Sequence, residues 1–268
     1  MAGFTFKDTV SLTTVAIRVK DRDKMIAFYK DLVGFHLQGE ENALAIMGIA
    51  KTKREDLWLE ESPRANDYAG ETKRLKQLSL HIGHLLELAD LFERFTNAKY
   101  PKMKVNFLEK SVHLYIDDPE ENRLDIYTEI EEPLTTVEQL REKSSGKYPS
   151  LSEQTSFDHI ALHVSDKKEE EKFLSTALGF QTKTDVYTLT LDNRFLGISL
   201  QEKAEKALLV SADDITGLEV VKLKITSDDL RALEESLNRA EKTFYIDSKK
   251  TILAVNDPAG VQWWYSIK

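Results

Sequence analysis

Alternating apolar and polar residues mark two strands at corresponding places in the two halves of the chain. The alternation runs over residues 15–19 in the first half and over 160–164 in the second. Because successive side chains of a strand point to opposite faces, each pattern predicts a strand with one face on a core. Asp21 and Asp166 follow these strands, and Asp is a favoured residue at the start of a helix.

A helical pattern follows the first of these Asp residues. Met25, Phe28, Tyr29 and Leu32 fall at positions i, i+3, i+4 and i+7. Such a stripe predicts a helix that packs one apolar face on the sheet. Gly34 comes next, where a left-handed helix cap is expected.

The whole pattern recurs later in the chain. Asp21, Phe28, Gly34 and Phe35 have counterparts in Asp166, Phe173, Gly179 and Phe180. A second helical segment at 86–95 matches 227–237, and Asp-Pro turns begin the matching segments 118–127 and 257–266. An Asp-Pro turn followed by an apolar run predicts a closing strand. The repetition therefore predicts four repeats, each built as a strand, a helix and several short strands.

The segment between residues 132 and 156 separates the two halves. It has weak periodicity and is rich in Ser, Pro and charged residues. Such a composition is typical of a connection between domains. The sequence therefore predicts a first domain at 1–132, a linker at 133–155 and a second domain at 156–268.

Composition narrows the classes of function. The chain has 268 residues, is 41% hydrophobic, carries a formal net charge of -9 and has no Cys. Its size and apolar content predict a packed globular core, and its charge opposes a nucleic-acid partner. The absence of Cys excludes disulfides, thiolate nucleophiles, iron-sulfur clusters and Cys-ligated zinc. No run of 18 or more apolar residues or signal-peptide pattern is present, so we expect a soluble cytoplasmic protein without membrane contact.

The four repeats, arranged as two pairs, resemble the vicinal oxygen chelate superfamily of glyoxalases, extradiol ring-cleaving dioxygenases and bleomycin-resistance proteins. This resemblance implies an α+β fold of two domains, each with paired βαβββ repeats, curved mixed sheets and helices outside. Segments 41–48 and 59–75 also resemble the CppA-type proteins of streptococci and their relatives, which are described as complement-degrading proteinases. That second resemblance implies a host complement protein as a partner. Four repeats can complete their sheets within one chain, so a monomer and a dimer both remain open.

In metal-dependent members of the superfamily, a His early in a repeat and a Glu in its closing strand hold one divalent ion. Strand alternation places Thr14 at the first of these positions in the first repeat. In the second repeat Gln77 occupies the position, His81 follows four residues later, and Asp125 stands in the closing strand where Glu is expected. Gln77, His81 and Asp125 would form a poor ligand set, since Asp is shorter than Glu.

In the second domain the residue at the first ligand position is better suited to a metal ion than in the first domain, but the residues at the other ligand positions are less suited. His159 stands at the ligand position, with His163 on the same strand face. In the fourth repeat Val220 takes that position, Lys222 lies on the same face, and Trp264 replaces the closing Glu. One His with Val and Trp cannot hold a catalytic divalent ion, and a nearby ammonium group would repel one. We therefore expect no metal ion and no cofactor.

A shift of one residue in the fourth repeat would bring Glu219 to the ligand position. The same shift would turn Val221, Leu223 and Ile225 towards the cavity, because a slip in register moves every side chain to the other face. The sequence therefore favours the register that keeps Val220 at the ligand position.

Together these patterns predict a protein that binds a small apolar or anionic molecule in a cavity without metal catalysis. The expected ligand-binding residues are His159, His163, Lys222, Trp264, Gln77, His81 and Asp125. One alternative is a metal-dependent ring-cleaving dioxygenase or glyoxalase-type lyase, which the fold favours and the ligand residues oppose. Another is a CppA-type proteinase, which only the resemblance implies. The chain has no H-E-x-x-H or G-x-S-x-G motif, but folding could still assemble a Ser-His-Asp set, so catalysis stays open.

Overall fold

The structure is a computed structural model that describes residues 4–49, 52–66, 72–191, 194–205, 208–210 and 214–268. Within these residues the chain forms sixteen strands and five α-helices. Residues 67–71, which belong to the CppA-like segment 59–75, lie outside the described residues. Among the helices that are described, none is long and apolar enough to cross a membrane.

The four predicted βαβββ repeats are present, so the predicted fold class is confirmed. The first repeat comprises β1 (Ser11–Val19), α1 (Arg22–Ala27), β2 (His36–Glu41), β3 (Leu44–Gly48) and β4 (Leu57–Glu61). The second comprises β5 (Leu75–His81), α2 (Leu85–Asn97), β6 (Met103–Leu108), β7 (Ser111–Asp117) and β8 (Arg123–Glu129), and α3 (Val137–Glu142) follows it. The third comprises β9 (Ser156–Val164), α4 (Lys167–Lys172), β10 (Gln181–Lys183), β11 (Val186–Thr190) and β12 (Phe195–Glu202). The fourth comprises β13 (Gly217–Ile225), α5 (Ser227–Arg239), β14 (Tyr245–Ile246), β15 (Ile252–Asn256) and β16 (Gln262–Ile267).

Equivalent helices begin and end in the same way in the first and third repeats. The Asp21 carboxylate accepts a hydrogen bond from Lys24 N at 3.0 Å, and Asp166 accepts one from Glu169 N at 2.9 Å. Both helices then continue with π-helical winding, over Phe28–Val33 and Phe173–Ala177. Gly34 follows with φ of 101°, a left-handed conformation that favours glycine. The helix-start and helix-end residues therefore act as the sequence predicts.

Two compact units divide the chain, and neither is continuous in sequence. The C-terminal unit contains Met1–Arg18, Arg64–Lys76 and His159–Lys268, and the N-terminal unit contains Val19–Pro63 and Gln77–Asp158. The strand order is β14-β15-β16-β13-β1 and β10-β11-β12-β9 in the C-terminal unit, and β4-β3-β2 and β5-β8-β7-β6 in the N-terminal unit. The predicted sequence domains at 1–132 and 156–268 stay a prediction, and the compact units differ from them in the placement of β1.

The placement of β1 follows from its pairing. β1 runs antiparallel to β13, from the pair Ser11 and Lys224 to the pair Arg18 and Gly217. The first strand of the first repeat therefore joins the first strand of the fourth. Alternation within a strand identifies its buried face but not its neighbour, so the sequence pattern could not predict this partner.

Two β-bulges interrupt the pairing of β1 with β13. Ala16 pairs with Val220 and Ile17 pairs with Leu218, so Glu219 is the extra residue of one bulge. A bulge redirects a side chain locally without moving the rest of its strand. Glu219 thereby forms an ion pair with Arg18.

The remainder of β13 keeps the predicted register. Val221, Leu223 and Ile225 are each 0% exposed, which fits a face that packs on the core. This burial agrees with the register that the sequence favours over the shifted one. The bulge adds Glu219 locally instead of shifting the whole strand.

Helices join consecutive repeats within the N-terminal unit. The Phe28 ring lies 5.9 Å from the Phe95 ring of α2 in an edge-to-face arrangement. Arg94 of α2 also donates hydrogen bonds to Leu32 O at 3.1 Å and to Val33 O at 3.0 Å. These contacts satisfy carbonyl groups at the end of the first helix, which otherwise lack helical partners.

The C-terminal unit has corresponding contacts between its third and fourth repeats. The Ser236 hydroxyl of α5 donates to Thr176 O and Ala177 O, both at 3.1 Å. Glu170 of α4 is fully buried beside the Asp257 carboxyl of the closing turn, and its Oε2 accepts a hydrogen bond from Ala259 N at 2.9 Å. Burial, and then the charge of Asp257, raise the pKa of Glu170 well above its usual range, which favours its neutral form beside Asp257.

The segment after α3 is attached to α2 by two carboxylates. Asp90 accepts hydrogen bonds from residues 144–148, with donors at Ser144 Oγ (2.8 Å), Ser145 N (2.6 Å), Gly146 N (2.8 Å) and Tyr148 N (3.0 Å). Glu87, one helical turn earlier, accepts from Ser152 N at 2.7 Å and from Thr155 Oγ1 at 3.1 Å. Burial raises the pKa of Asp90, but these hydrogen bonds outweigh burial and hold the pKa at about 2. The predicted linker is thus packed on the N-terminal unit.

Replacing Asp90 with Ala should therefore detach residues 144–148 and destabilise the chain. We expect a loss of about 2–4 kcal/mol in the free energy of unfolding at pH 7, because several buried donors lose a charged acceptor. Urea unfolding measures this loss, and faster tryptic cleavage at Lys143 and Lys147 reports the detachment. The folded pKa lies below the unfolded value of about 3.9. The stabilisation is therefore fully present above pH 5 and disappears as the pH falls through about 2.

Glu93→Ala is the matched control on the same helix. Glu93 pairs with Arg141, whose side chain is half exposed, so its removal should cost less than about 1 kcal/mol. Equal losses for the Asp90 and Glu93 variants would contradict the proposed attachment.

Candidate functional site

Parallel strand pairs define equivalent positions in the second and third repeats. On β5 and β8, Ser79 lies opposite Asp125, and Gln77 precedes Ser79 by two residues. On β9 and β12, Ala161 lies opposite Ser199, and His159 precedes Ala161 by two residues. Gln77 and Asp125 therefore correspond to His159 and Ser199. Ser199 was not recognised from the sequence, because its strand carries no turn motif to align it.

Gln77 and Asp125 contact each other in the N-terminal unit. The Gln77 amide Nε2 donates to Asp125 Oδ2 at 3.1 Å, and the Ser79 hydroxyl lies 3.5 Å from the same oxygen. The other carboxylate oxygen, Oδ1, bonds to His113 Nδ1 at 2.8 Å. Because a carboxylate only accepts hydrogen bonds, Gln77 must turn its amide nitrogen towards Asp125. An amide nitrogen in this orientation offers no lone pair to a metal ion.

His81 lies on the same strand as Gln77 and has different partners. Its Nε2 bonds to the Glu129 carboxylate, and its ring meets the Tyr127 ring edge to face at 5.2 Å. The Tyr127 hydroxyl in turn donates to Asp158 Oδ2 at 2.5 Å. The structure thus places His81 in a cluster with Glu129, and no bond joins it to Asp125 among the described contacts.

His113 is a residue that the sequence analysis missed. Its ring stacks on Tyr127 with centroids 5.0 Å apart and an angle of 7°, and on Tyr115 at 5.9 Å and 16°. Its Nε2 lies 3.0 Å from the Ser111 hydroxyl. The alternation of β7, in which the even-numbered residues 112, 114 and 116 are buried, could have placed these odd-numbered residues on the face of Asp125.

His159 bonds to Ser199 in the C-terminal unit. The distance from His159 Nε2 to Ser199 Oγ is 2.8 Å. Gly197 supports the ring of His159, since a Cβ atom at position 197 would lie only 2.6 Å from His159 Nδ1. This glycine is required by the close approach of a neighbouring side chain.

His163 points its ring towards the chain that precedes β5. Its Nδ1 donates to Lys73 O at 2.8 Å, and its backbone N–H donates to Arg74 O at 2.8 Å. Burial lowers the pKa of His163, the Lys73 carbonyl opposes that shift, and the charges of Lys76 and Lys203 add to it. His163 is therefore neutral at pH 7.

Lys222 and Trp264 are neighbours on β13 and β16. The Lys222 ammonium lies 5.3 Å from the centre of the Trp264 ring, which is a cation–π distance. β13 and β16 belong to one strand group of the C-terminal unit, and β9, which carries His159, belongs to the other. Among the described strands of this unit, those of the third and fourth repeats are not hydrogen-bonded to each other. The expected grouping of His159 with Val220 and Trp264 at one cavity stays a prediction.

The residues at the family ligand positions do not fit a divalent ion. Gln77 presents its amide nitrogen to Asp125, Ser199 bonds to His159, and Trp264 has an indole ring in place of a carboxylate. Among the described residues, no group of three or more His, Asp or Glu side chains is placed to hold a metal ion. Catalytic metal sites need at least three protein ligands with open positions for substrate.

A polar pocket of about 490 Å³ adjoins Gln77 in the N-terminal unit. Its charged lining residues are Lys102, Lys104, Asp117 and Arg123. Three basic side chains face one acidic side chain, which gives the pocket a positive balance although the whole chain carries -9. This pocket was not predicted from the sequence, because its basic residues are distributed over two strands and the turn before β6.

Two family models match almost the full length of the chain. The model described as CppA N-terminal matches residues 12–137, and the model described as CppA C-terminal matches residues 151–265. A comparison with curated proteins finds no match.

Solved structures share the fold at low sequence identity. The CppA protein of Streptococcus pneumoniae TIGR4 is 16% identical, with 97% of this chain and 98% of that chain covered and a TM-score of 0.63. Glyoxalase I of Zea mays is 14% identical, with 97% and 92% covered and a TM-score of 0.58. A candidate dioxygenase of Bacillus subtilis is 10% identical, with 97% and 86% covered and a TM-score of 0.65. These likenesses support the glyoxalase and dioxygenase type of fold that the repeats predicted.

Replacing Gly197 with Ala should displace the His159 ring and break its bond to Ser199. We expect a loss of about 1–3 kcal/mol in the free energy of unfolding, the usual cost of forcing an extra methyl group into a packed site. Gly39→Ala is the control, because nothing lies within 4 Å of a Cβ atom at position 39.

The double variant Gly197→Ala, His159→Ala provides a second check. Removing the His159 ring removes the clash, so the double variant should be no less stable than His159→Ala. A full additive loss in chemical unfolding would contradict the close packing of Gly197 on His159.

Proposed function

Because the chain belongs to the CppA family and has the fold of glyoxalase I, we propose that it binds a small anionic molecule without metal catalysis. The positively charged pocket beside Gln77 is the observation that carries this proposal. Its volume of about 490 Å³ lies in the range of small-molecule sites. An anion would gain favourable charge interactions with these basic side chains.

Lys104 and Tyr115 supply donors at the opening of the pocket. Lys104 lies opposite Tyr115 in the pairing of β6 with β7, so its ammonium group and the Tyr115 phenol flank the same opening. Burial, and then the charge of Asp125, raise the pKa of Tyr115. The phenol therefore stays protonated at pH 7 and can donate a hydrogen bond to an anion. Gln77 also lines the pocket, while its amide nitrogen donates to Asp125.

Arg123 is oriented towards the pocket by Asp117. Its Nε donates to Asp117 Oδ1 at 2.8 Å and its Nη2 to Oδ2 at 3.1 Å. This two-point contact fixes the guanidinium plane and leaves further N–H groups for a ligand. Lys102 is held in a similar way by Glu121, with an Nζ to Oε1 distance of 3.1 Å.

The misfit of the family ligand positions supports binding over metal catalysis. Gln77, Ser199 and Trp264 replace the acidic and imidazole ligands that the chemistry of the superfamily needs. Folds of this kind host unrelated functions, so the fold itself decides nothing about catalysis. The residues His81, His159, His163, Lys222 and Trp264 stay predicted ligand contacts. The cytoplasmic location and the oligomeric state also stay predictions.

Elemental analysis of the purified chain tests the absence of metal catalysis. We expect clearly substoichiometric iron, manganese and zinc, because the part of the chain that the structure describes holds no group of three or more His, Asp or Glu side chains placed to bind a metal ion. One equivalent of such an ion, lost in a His159→Ala variant, would support the alternative of a dioxygenase or glyoxalase-type lyase.

Lys104→Gln should weaken anion binding at the pocket. With malonate as the probe, we expect the dissociation constant to rise by about three- to tenfold, since one ammonium contact is worth roughly 1 kcal/mol in a solvated pocket. Chemical shift changes at Gln77 and Tyr115 would locate the probe. Lys30→Gln is the control, since Lys30 is an exposed lysine of the same unit and its loss changes the net charge equally. Equal weakening of malonate binding by both variants would show that only the net charge of the chain matters, and it would contradict a specific anion site.

A further inference from the structure

Ser111, His113 and Asp125 form a continuous hydrogen-bonded chain in the N-terminal unit. Ser111 Oγ lies 3.0 Å from His113 Nε2, and His113 Nδ1 lies 2.8 Å from Asp125 Oδ1. Both ring nitrogens are thus engaged, one by a hydroxyl and the other by a carboxylate. This is the order of groups that activates a serine nucleophile.

The carboxylate determines which nitrogen of His113 carries the proton. Because ionised Asp125 can only accept a hydrogen bond, His113 Nδ1 must be the donor. The neutral ring then has its lone pair on Nε2, and the Ser111 hydroxyl donates to that lone pair. Ser111 is therefore poised to lose its proton to His113.

The surroundings hold this geometry in place. Tyr127 and Tyr115 stack on His113 with interplanar angles of 7° and 16°, which restricts rotation of the ring. Gln77 donates to the second oxygen of Asp125 at 3.1 Å, so the carboxylate is fixed from both sides. Such supporting contacts are what a catalytic arrangement needs to keep its distances.

Ser111 is accessible and His113 is partly shielded. Ser111 is the first residue of β7, directly after a two-residue turn, and it is half-buried. The side chain of His113 is 14% exposed and that of Asp125 is 8% exposed. A reagent can thus approach the hydroxyl while the base and its carboxylate are largely removed from water, which strengthens their interaction.

We propose that Ser111, His113 and Asp125 form an acyl-transfer site that hydrolyses carboxylic esters. Ser111 Oγ attacks the ester carbonyl and passes its proton to His113 Nε2. The tetrahedral adduct then expels the alcohol, which takes that proton, and leaves an acyl group on Ser111. Water, deprotonated by His113, attacks the acyl group, and the acid leaves as Ser111 regains its proton.

Esters are the substrate class because their leaving group is an alkoxide, which departs more readily than the amine of a peptide. Asp125 is a positioning residue, since it acts through His113. The proposed acyl-transfer site lies on the β7 face, whereas the lysine tested for anion binding is on β6. The acyl-transfer proposal therefore does not depend on anion binding.

A fluorophosphonate probe and p-nitrophenyl acetate test the site on the full chain. We expect the probe to form a covalent adduct at Ser111, located by mass spectrometry of the tryptic digest. Ser111→Ala should abolish this adduct and lower ester hydrolysis by at least about 100-fold. The control Ser175→Ala removes a half-buried hydroxyl that donates to Glu171 O, and it should keep both signals.

A fall in kcat with little change in KM separates the positioning role of Asp125 from a structural one. Asp125→Asn should lower the rate by up to about 10⁴-fold, because the amide favours the wrong ring tautomer. Unfolding curves and malonate binding should stay close to wild type for Ser111→Ala. These two measurements distinguish loss of the nucleophile from loss of folding and from loss of the anion pocket.

Three results would overturn the proposal. They are the absence of any adduct on the wild-type chain, an adduct at another residue such as Ser199 beside His159, and ester hydrolysis that survives in Ser111→Ala.

Discussion

The antiparallel pairing of β1 with β13 is the contact on which the arrangement of the repeats depends. It joins the first repeat to the fourth through the sheet, whereas the helices join neighbouring repeats. Arg94 ties the second repeat to the first, and Ser236 ties the fourth to the third. The strands and the helices thus join a given repeat to different neighbouring repeats. A βαβββ repeat has one apolar sheet face and one helix, so it needs both kinds of partner to bury its surface.

Strand faces and helix starts could be read from the sequence, because they depend on local spacing. The alternation around Val15 and Ile160 and the cap at Asp21 required no knowledge of distant residues. The bulge at Glu219 and the stacking of His113 depend on a neighbouring strand. Alternation within one strand does not identify which strand lies beside it. Composition at 133–155 could not show that residues 144–148 bond to the Asp90 carboxylate of α2, because that contact depends on a distant residue.

In the candidate site, too, local spacing revealed some residues, whereas others depended on neighbouring strands. Gln77 and Asp125 were found from repeat positions, and the structure brings them within hydrogen-bond distance. The bond of Asp125 to His113 depends on the pairing of β7 with β8, so alternation within β7 could indicate only that His113 shares the face of Asp125. At Asp125, where the superfamily resemblance implies a metal ligand, the structure has a carboxylate bonded to an imidazole. A change from ligand to orienting group needs only new neighbours, since both uses require an ionised and fixed carboxylate.

Pairing of the first repeat with the last also has a consequence for biosynthesis. A ribosome releases β1 long before β13, so β1 must wait for its neighbour until the fourth repeat has been translated. During that interval an apolar strand is without the partner that covers its edge, and such strands are prone to pair with other chains. Contacts between distant parts of a chain also form slowly. The order in which the repeats are translated therefore exposes the nascent chain to aggregation before its two ends can meet.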